Sequence, residues 1–340
     1  MSVASIDCGT TNSRVYVVDE QGTVLGKGYR NVGVRDTAIT GDSDALRAGI
    51  REAYEDALAS AGLEGTDVSI AVAAGMITSE LGLQEVPHLN APAGIRQLAG
   101  NLVRTKEENL LPPGIPIYLI PGVKNDLVQG QPGPEDVNLL DFMRGEETQV
   151  VGALLRYPAE RRLTMVVLSS HTKFISIDQD GLIRGSVTTL SGQLYEAIRR
   201  ETFIGKSIEG DSDDASAEFW DEQVIANAEA CVASAGFLRT LMMGRFFDVL
   251  MKTKWYERKL FVEASIAAED MRALEHFGAL GFDLDAPVIL VGPEKRCRIY
   301  QSMMRSRLTA EPSVIHEPDE IDQLSIQGSL GILKEAGTIG

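Results

Sequence analysis

Apolar and polar positions alternate, cluster or repeat along the chain in patterns that predict its elements. Residues 2–35 read as two strands joined by a hairpin turn at Asp19-Glu20-Gln21-Gly22. From Ser43 to Ala61 the apolar positions Ala45, Leu46, Ile50, Ala53, Tyr54, Ala57 and Leu58 follow helical spacing, with Ser43 or Asp44 as cap and Gly62 as stop. Val68 to Ala74 is a largely apolar run ending at Gly75-Met76, the pattern of a strand buried in a parallel sheet. A further strand leads to Pro121-Gly122, and a helix starts in Arg144-Gly145-Glu146-Glu147-Thr148-Gln149, after a Pro- and Gly-rich loop. The second half predicts strands at Leu163–Leu168 and Phe174–Ile177 and helices over 193–200 and from Ser216 to Leu280. It ends with a buried strand, Val288–Val291, that turns at Gly292-Pro293, and a closing helix from Asp322 to Glu335. Strands alternating with helices in both halves indicate α/β architecture. The expected boundary lies near residue 155, in the segment Leu155 to Arg162, giving domains 1–155 and 156–340.

The two halves are related. Shifted by 159 positions, Thr11, Ser13, Arg14, Val15, Tyr16, Val18, Asp19 and Gly22 fall on Ser170, Thr172, Lys173, Phe174, Ile175, Ile177, Asp178 and Gly181. Hydroxyl meets hydroxyl, cation meets cation, apolar meets apolar, and the Asp-x-x-Gly spacing is kept. Each copy predicts a strand, a bend of small residues, an alternating strand and a turn. Two such bends, rich in NH and OH groups, can hold a phosphate chain between them.

Composition narrows the classes. At 340 residues the chain can bury two cores of about 150 residues each. A net charge of −17 argues against a nucleic acid or an anionic membrane as partner. Cys8, Cys231 and Cys297 are odd in number and far apart, as expected in a reducing cytoplasm, and four scattered His suggest no zinc site. The N-terminus runs straight into a strand, so no export signal is expected, and no apolar stretch reaches 18 residues.

Phosphoryl transfer asks for positioning, donors around phosphates and a divalent cation. Asp7, closing the first strand, can hold Mg²⁺. Gly9 admits a close anion, and Thr10, Thr11 and Asn12 supply donors. A plain hairpin in which Asp7 caps a turn accounts for the same residues. The second bend offers Ser169, Ser170, His171, Thr172 and Lys173, without a glycine. Glu146 or Glu147, at a helix start beside Arg144, can take a proton from a substrate hydroxyl; acidic residues favoured by the helix dipole are the bland alternative. Gly292-Pro293 can lie under an adenine ring. Gly75 and Met76, at a strand end, can present backbone NH groups to a carboxylate, with Arg14 and Arg144 as its cations.

With these motifs laid out, the chain resembles the 2-dehydro-3-deoxygalactonokinase family of the sugar kinase, heat-shock chaperone and actin superfamily. The resemblance rests on Asp7-Cys8-Gly9-Thr10-Thr11-Asn12, Ala74-Gly75-Met76, Met143 to Gln149, His171-Thr172-Lys173-Phe174, Leu190 to Leu194 and Ile289 to Gly292. It implies two ribonuclease-H-like (actin-like ATPase) domains with the active site in the cleft between them. It further implies ATP- and Mg²⁺-dependent phosphorylation of the 6-hydroxyl of 2-dehydro-3-deoxy-D-galactonate in galactonate breakdown. The small-molecule partners are then a sugar acid and a nucleotide, and a homodimer is left open. The family pattern has Pro-Gly at the second bend where this chain has Leu168-Ser169, and small residues where it has Pro293-Glu294-Lys295-Arg296. Those departures keep in view a sugar-acid-binding protein without nucleotide chemistry. The helix start at Gly145-Glu146-Glu147, of a type that exopolyphosphatases also carry, keeps in view a phosphohydrolase of the same superfamily.

Overall fold

The computed structural model describes the chain apart from residues 106, 108, 109, 113, 159, 160 and 212–218. The predicted helical start at Ser216, and Ala159 and Glu160 of the expected boundary segment, lie outside the described residues. Two compact units emerge. The first comprises Met1–Arg162, Ile177–Ser186 and Pro318–Gly340, the second Leu163–Ser176 and Val187–Glu317. The expected domains, 1–155 and 156–340, differ from these in allotment. The closing helix Pro318–Glu335 belongs with the first unit, because it packs along the helix Glu146–Arg156. Residues 177–186 join it too, through a bridge between Ala93 and Ile183 and hydrogen bonds between the Asn125 side chain and the Ser186 backbone.

The described strands of the first unit before residue 162 are β1 Ser2–Cys8, β2 Ser13–Val18, β3 Val24–Arg30, β4 Val68–Gly75, β5 Leu89–Asn90, β6 Val103–Arg104, β7 Ile117–Leu119, β8 Val123–Lys124 and β9 Phe142–Met143. Segment 2–35, read as two strands, holds three, since Gly9–Asn12 makes a turn of its own closed by Gly9 N–H to Asn12 O at 2.8 Å. The main sheet runs β3-β2-β1-β4-β7-β6, and β5, β8 and β9 form a small second sheet. Antiparallel pairing joins β1, β2 and β3, while β1, β4 and β7 run parallel. In β4 all positions but Ser69 are buried, as its near-continuous apolar sequence demands of a central parallel strand. The helix Asp44–Ala61 stops at Gly62 with φ 66° and buries Leu46, Ile50, Ala53, Tyr54, Ala57 and Leu58 into the core.

Downstream come β10 Leu163–Leu168, β11 Thr172–Ile177, β12 Ile183–Thr189, β13 Val288–Val291 and β14 Ser313–Ile315, in sheet order β12-β11-β10-β13-β14. Its first four positions repeat the order third-second-first-fourth of the first sheet, and a further parallel strand follows in each, β7 there and β14 here, with β10, β13 and β14 parallel. Both sheets are therefore ribonuclease-H-like. The 159-residue offset carries β2 onto β11 and β3 onto β12 with identical limits. The turns also coincide. Asp19 Oδ1 accepts the N–H groups of Gln21 and Thr23, and Asp178 Oδ1 those of Asp180 and Leu182. The helices Glu222–Ala235, Phe237–Val249 and Trp255–Ala279 build the second core around Phe174, Phe261, Phe277 and Tyr300. Among the described residues no helix is long and apolar enough to cross a membrane.

Candidate active site

In the first unit, three sequence-distant segments meet at the ends of β1 and β4. Cys8 pairs with Gly75 across the parallel strands. Gly75 has φ 83°, and a Cβ there would stand 2.4 Å from Cys8 O and 3.4 Å from Asp7 Oδ1. Only a glycine satisfies both the left-handed backbone and the close approach. Gly145, with φ 107°, lies against it: a Cβ at Gly145 would be 3.4 Å from Gly75 Cα. Asp7, Gly75, Gly145 and the helix start at Glu146 thus form one contiguous surface.

Electrostatics single out Asp7. Burial raises its carboxyl pKa above the ordinary value, Arg14 opposes this, and the charges of Asp322 and Glu146 raise it further. Arg14 Nη1 donates to Asp7 Oδ2 at 3.3 Å, and about a third of the Asp7 side chain (34%) stays exposed. Asp322, on the helix Pro318–Glu335, is hydrogen-bonded to the Tyr16 hydroxyl, whose pKa burial also pushes up. Neither Asp322 nor Tyr16 was singled out from sequence; only the fold carries that helix to β1 and β2. Among the described residues no three His, Cys, Asp or Glu form a metal cage. A partly exposed carboxylate that its neighbours discourage from ionising fits Mg²⁺, which binds through one or two carboxylates and completes its shell with water and phosphate oxygens.

The two adjacent glutamates part company. Glu147 is fully buried, and Gly145 N–H donates to both its carboxylate oxygens at 2.8 Å. Burial, then the Glu146 charge, pushes its pKa up to about 8. Glu146 remains partly exposed on the side of Asp7. Arg144 points elsewhere: Nη1 donates to Thr78 Oγ1 at 2.7 Å, Nη2 donates to Val86 O at 2.8 Å and stands 3.3 Å from His88 Nδ1. It pins the segment after Met76, itself half-buried against the core, instead of reaching outward. In the first bend Thr10, Thr11 and Asn12 are at least partly exposed, but Gly9 N–H is already taken by Asn12 O. The helix Val34–Thr40 braces the bend from below, through Val34 N–H to Gly9 O and Arg35 N–H to Thr10 O.

The second unit repeats the design with different chemistry. The parallel pairing of Val167 with Val291 puts Gly292 beside Leu168, as Gly75 stands beside Cys8. A Cβ on Gly292 would lie 2.6 Å from Leu168 O, so the strand-to-helix turn itself accounts for this glycine, and Pro293 caps the helix Glu294–Met304. Ser169, Ser170 and His171 form the exposed part of the bend, with Ser170 Oγ 3.2 Å from His171 Nδ1. Thr172 and Lys173, expected among the phosphate ligands, are instead buried. Thr172 Oγ1 is 2.7 Å from Arg296 Nη2, and Lys173 Nζ donates to Thr188 Oγ1 at 2.6 Å. Both lie inside β11, a strand between β12 and β10 in which every position is buried, and not in the bend. Sequence reasoning missed Arg296 as a support, although its place in the unusual segment after Gly292 was visible.

Two ribonuclease-H-like sheets, each with a small-residue bend after its first strand, define the actin-like fold, and the family match gives its class, a sugar kinase. A profile of the 2-keto-3-deoxy-galactonokinase family matches residues 7–322, and the chain belongs to that family. Among similar proteins, the probable 2-dehydro-3-deoxygalactonokinase DgoK1 of Rhizobium meliloti is 24% identical over 243 residues, 71% of each chain. The 2-dehydro-3-deoxygalactonokinase of Escherichia coli is 29% identical over 148 residues, 43% of each. A solved structure of a candidate 2-dehydro-3-deoxygalactonokinase from Sinorhizobium meliloti superposes over 98% of both chains, with a TM-score of 0.72 and 20% identity.

Proposed function

We propose that this sugar kinase transfers the γ-phosphoryl group of ATP to the 6-hydroxyl of 2-dehydro-3-deoxy-D-galactonate, a step of galactonate breakdown in the cytoplasm. The observation that carries the reading is the convergence of Asp7, Gly75 and Glu146 at the strand ends of the first unit, in a chain of this family. Glu146 takes the proton of the attacking hydroxyl, because it is the exposed member of the pair and lies on the side of Asp7. Glu147 holds the helix start. Asp7 holds Mg²⁺, which when bound neutralises charge on the transferring phosphates. Arg14 shares the Asp7 carboxylate and is itself exposed, which suits it to the sugar-acid carboxylate. Backbone at Gly75-Met76 borders the same surface. Thr10, Thr11 and Asn12 offer phosphate donors in the bend of the first unit, and Ser169, Ser170 and His171 offer them in the bend of the second.

An ADP-release assay with a panel of six-carbon 2-keto-3-deoxy sugar acids tests the reading. The expected result is turnover that requires both Mg·ATP and a sugar acid, highest with the galactonate-derived one. Folded protein that turns over none of them removes the proposal. ADP release that ignores the sugar acid would replace it with a phosphohydrolase.

A further inference from the structure

The second unit contains a buried acid to which the proposed reaction assigns no role. Asp270, on the helix Trp255–Ala279, is 3% exposed. Ser191 Oγ donates to its carboxylate, 2.6 Å from each oxygen, and the Tyr300 hydroxyl donates to Oδ2. A hydroxyl has one proton to give. With that of Tyr300 committed to Asp270, its oxygen is left to accept from Thr172 Oγ1, 3.2 Å away. Thr172 Oγ1 in turn accepts from Arg296 Nη2 at 2.7 Å, and Arg296 Nη1 donates to Ser169 O at 2.5 Å. The Arg296 guanidinium also stands 5.8 Å from the centre of the Tyr300 ring. On the other branch Ser191 gives its proton to Asp270, so Thr189 Oγ1 donates to Ser191 at 2.7 Å. Every hydroxyl in the network is therefore oriented toward one carboxylate, and one branch ends on both sides of the bend that follows β10.

That bend has no glycine of its own, and the backbone beneath it is tight. A Cβ on Gly192 would stand 2.2 Å from Ser169 O, and Gln193 N–H donates to Ser170 O at 2.8 Å. The first bend is braced by backbone bonds to a helix start; the second has one such bond, from Gln193 N–H, and adds the side-chain bonds of Arg296.

We propose that Asp270 is a positioning residue for the donor nucleotide: acting through Tyr300, Thr172 and Arg296, it keeps residues 169–172 in the shape that grips the phosphate chain. This rests on the kinase reading of the second bend. The orientation depends on an acceptor-only group at the end of the network. An amide there keeps one acceptor oxygen but turns a donor toward one of the hydroxyls, so both branches can no longer be oriented toward it at once.

The test uses the full chain and three variants, Tyr300→Phe, Thr172→Val and Asp270→Asn. Tyr300→Phe keeps the ring and removes the relay. It should raise KM for Mg·ATP about tenfold and weaken calorimetric binding of a non-hydrolysable ATP analogue to the same extent. KM for the sugar acid and the melting temperature should hardly move. Asp270→Asn should shift the same two quantities further, and Tyr300→Phe with Thr172→Val should do no more than either alone, since both cut one relay. Unchanged analogue affinity in Tyr300→Phe overturns the inference, as does an equal rise in both KM values or a multiplicative double variant. If Asp270→Asn does not fold, Tyr300→Phe and Thr172→Val still decide. The analogue titration needs no turnover, so a wild-type protein that binds it but phosphorylates no sugar acid would defeat the functional reading and leave this inference to the variants.

Discussion

Replacing Glu147 by Gln should make the protein more stable at alkaline pH and leave it nearly unchanged in acid. The side chain is fully buried, and its pKa is pushed from the ordinary 4.5 up to about 8, first by burial and then by the charge of Glu146. Between those two values the folded chain holds a proton that the unfolded chain has released, so stability falls as pH rises through the window and levels off above it. At about 1.4 kcal/mol per pKa unit, the full penalty is at most roughly 5 kcal/mol. The bonds from Gly145 N–H are already contained in that value, and a glutamine brings a buried NH₂ group with its own desolvation cost, so about 2–4 kcal/mol is the expected gain. Glutamine keeps the shape and an acceptor oxygen for that N–H but carries no charge. In a chain of this size about 2 °C in Tm accompanies each kcal/mol. Thermal unfolding should therefore show Glu147→Gln about 4–8 °C above wild type at pH 8.5 and within about 2 °C at pH 4.5. A lower Tm than wild type at pH 8.5, or a difference independent of pH, would show that Glu147 stays ionised and is needed as such.

Other outcomes follow from the same geometry. Glu146→Gln should cut kcat by about 10²–10⁴ with Tm unchanged; a loss below tenfold in steady-state assays would assign the proton to another group. Gly328→Ala places a Cβ 1.8 Å from Thr148 O where the helix Pro318–Glu335 crosses Glu146–Arg156. It should cost about 1–3 kcal/mol, read as a lower Tm, and reduce kcat by shifting Glu146. Arg144→Ala leaves Thr78 Oγ1 and Val86 O without their donor and should destabilise by about 1–3 kcal/mol, with lysine a poor substitute for the guanidinium fork in the same melting experiment.

The sequence alone determined the elements and their duplication, because both rest on local physics. Alternation marks strands, and an Asp that caps its own turn marks where each ends. That is why the 159-residue offset predicted from side-chain classes reappears as identical limits for β2 with β11 and β3 with β12. Asp7, Gly75, Gly145 and Glu146 were each legible as residues at strand or helix ends. What the sequence left open was everything set by packing between distant segments. Successive helix residues point about 100° apart, and only the burial of that helix face decided that Glu147 goes inside and Glu146 stays at the surface. Arg144 found partners near residues 78–88, Lys173 and Thr172 were drawn into the sheet, and the closing helix brought Asp322 to the first strands. Such contacts join positions tens to hundreds of residues apart, so no local pattern encodes them. They exist only once the two cores have closed.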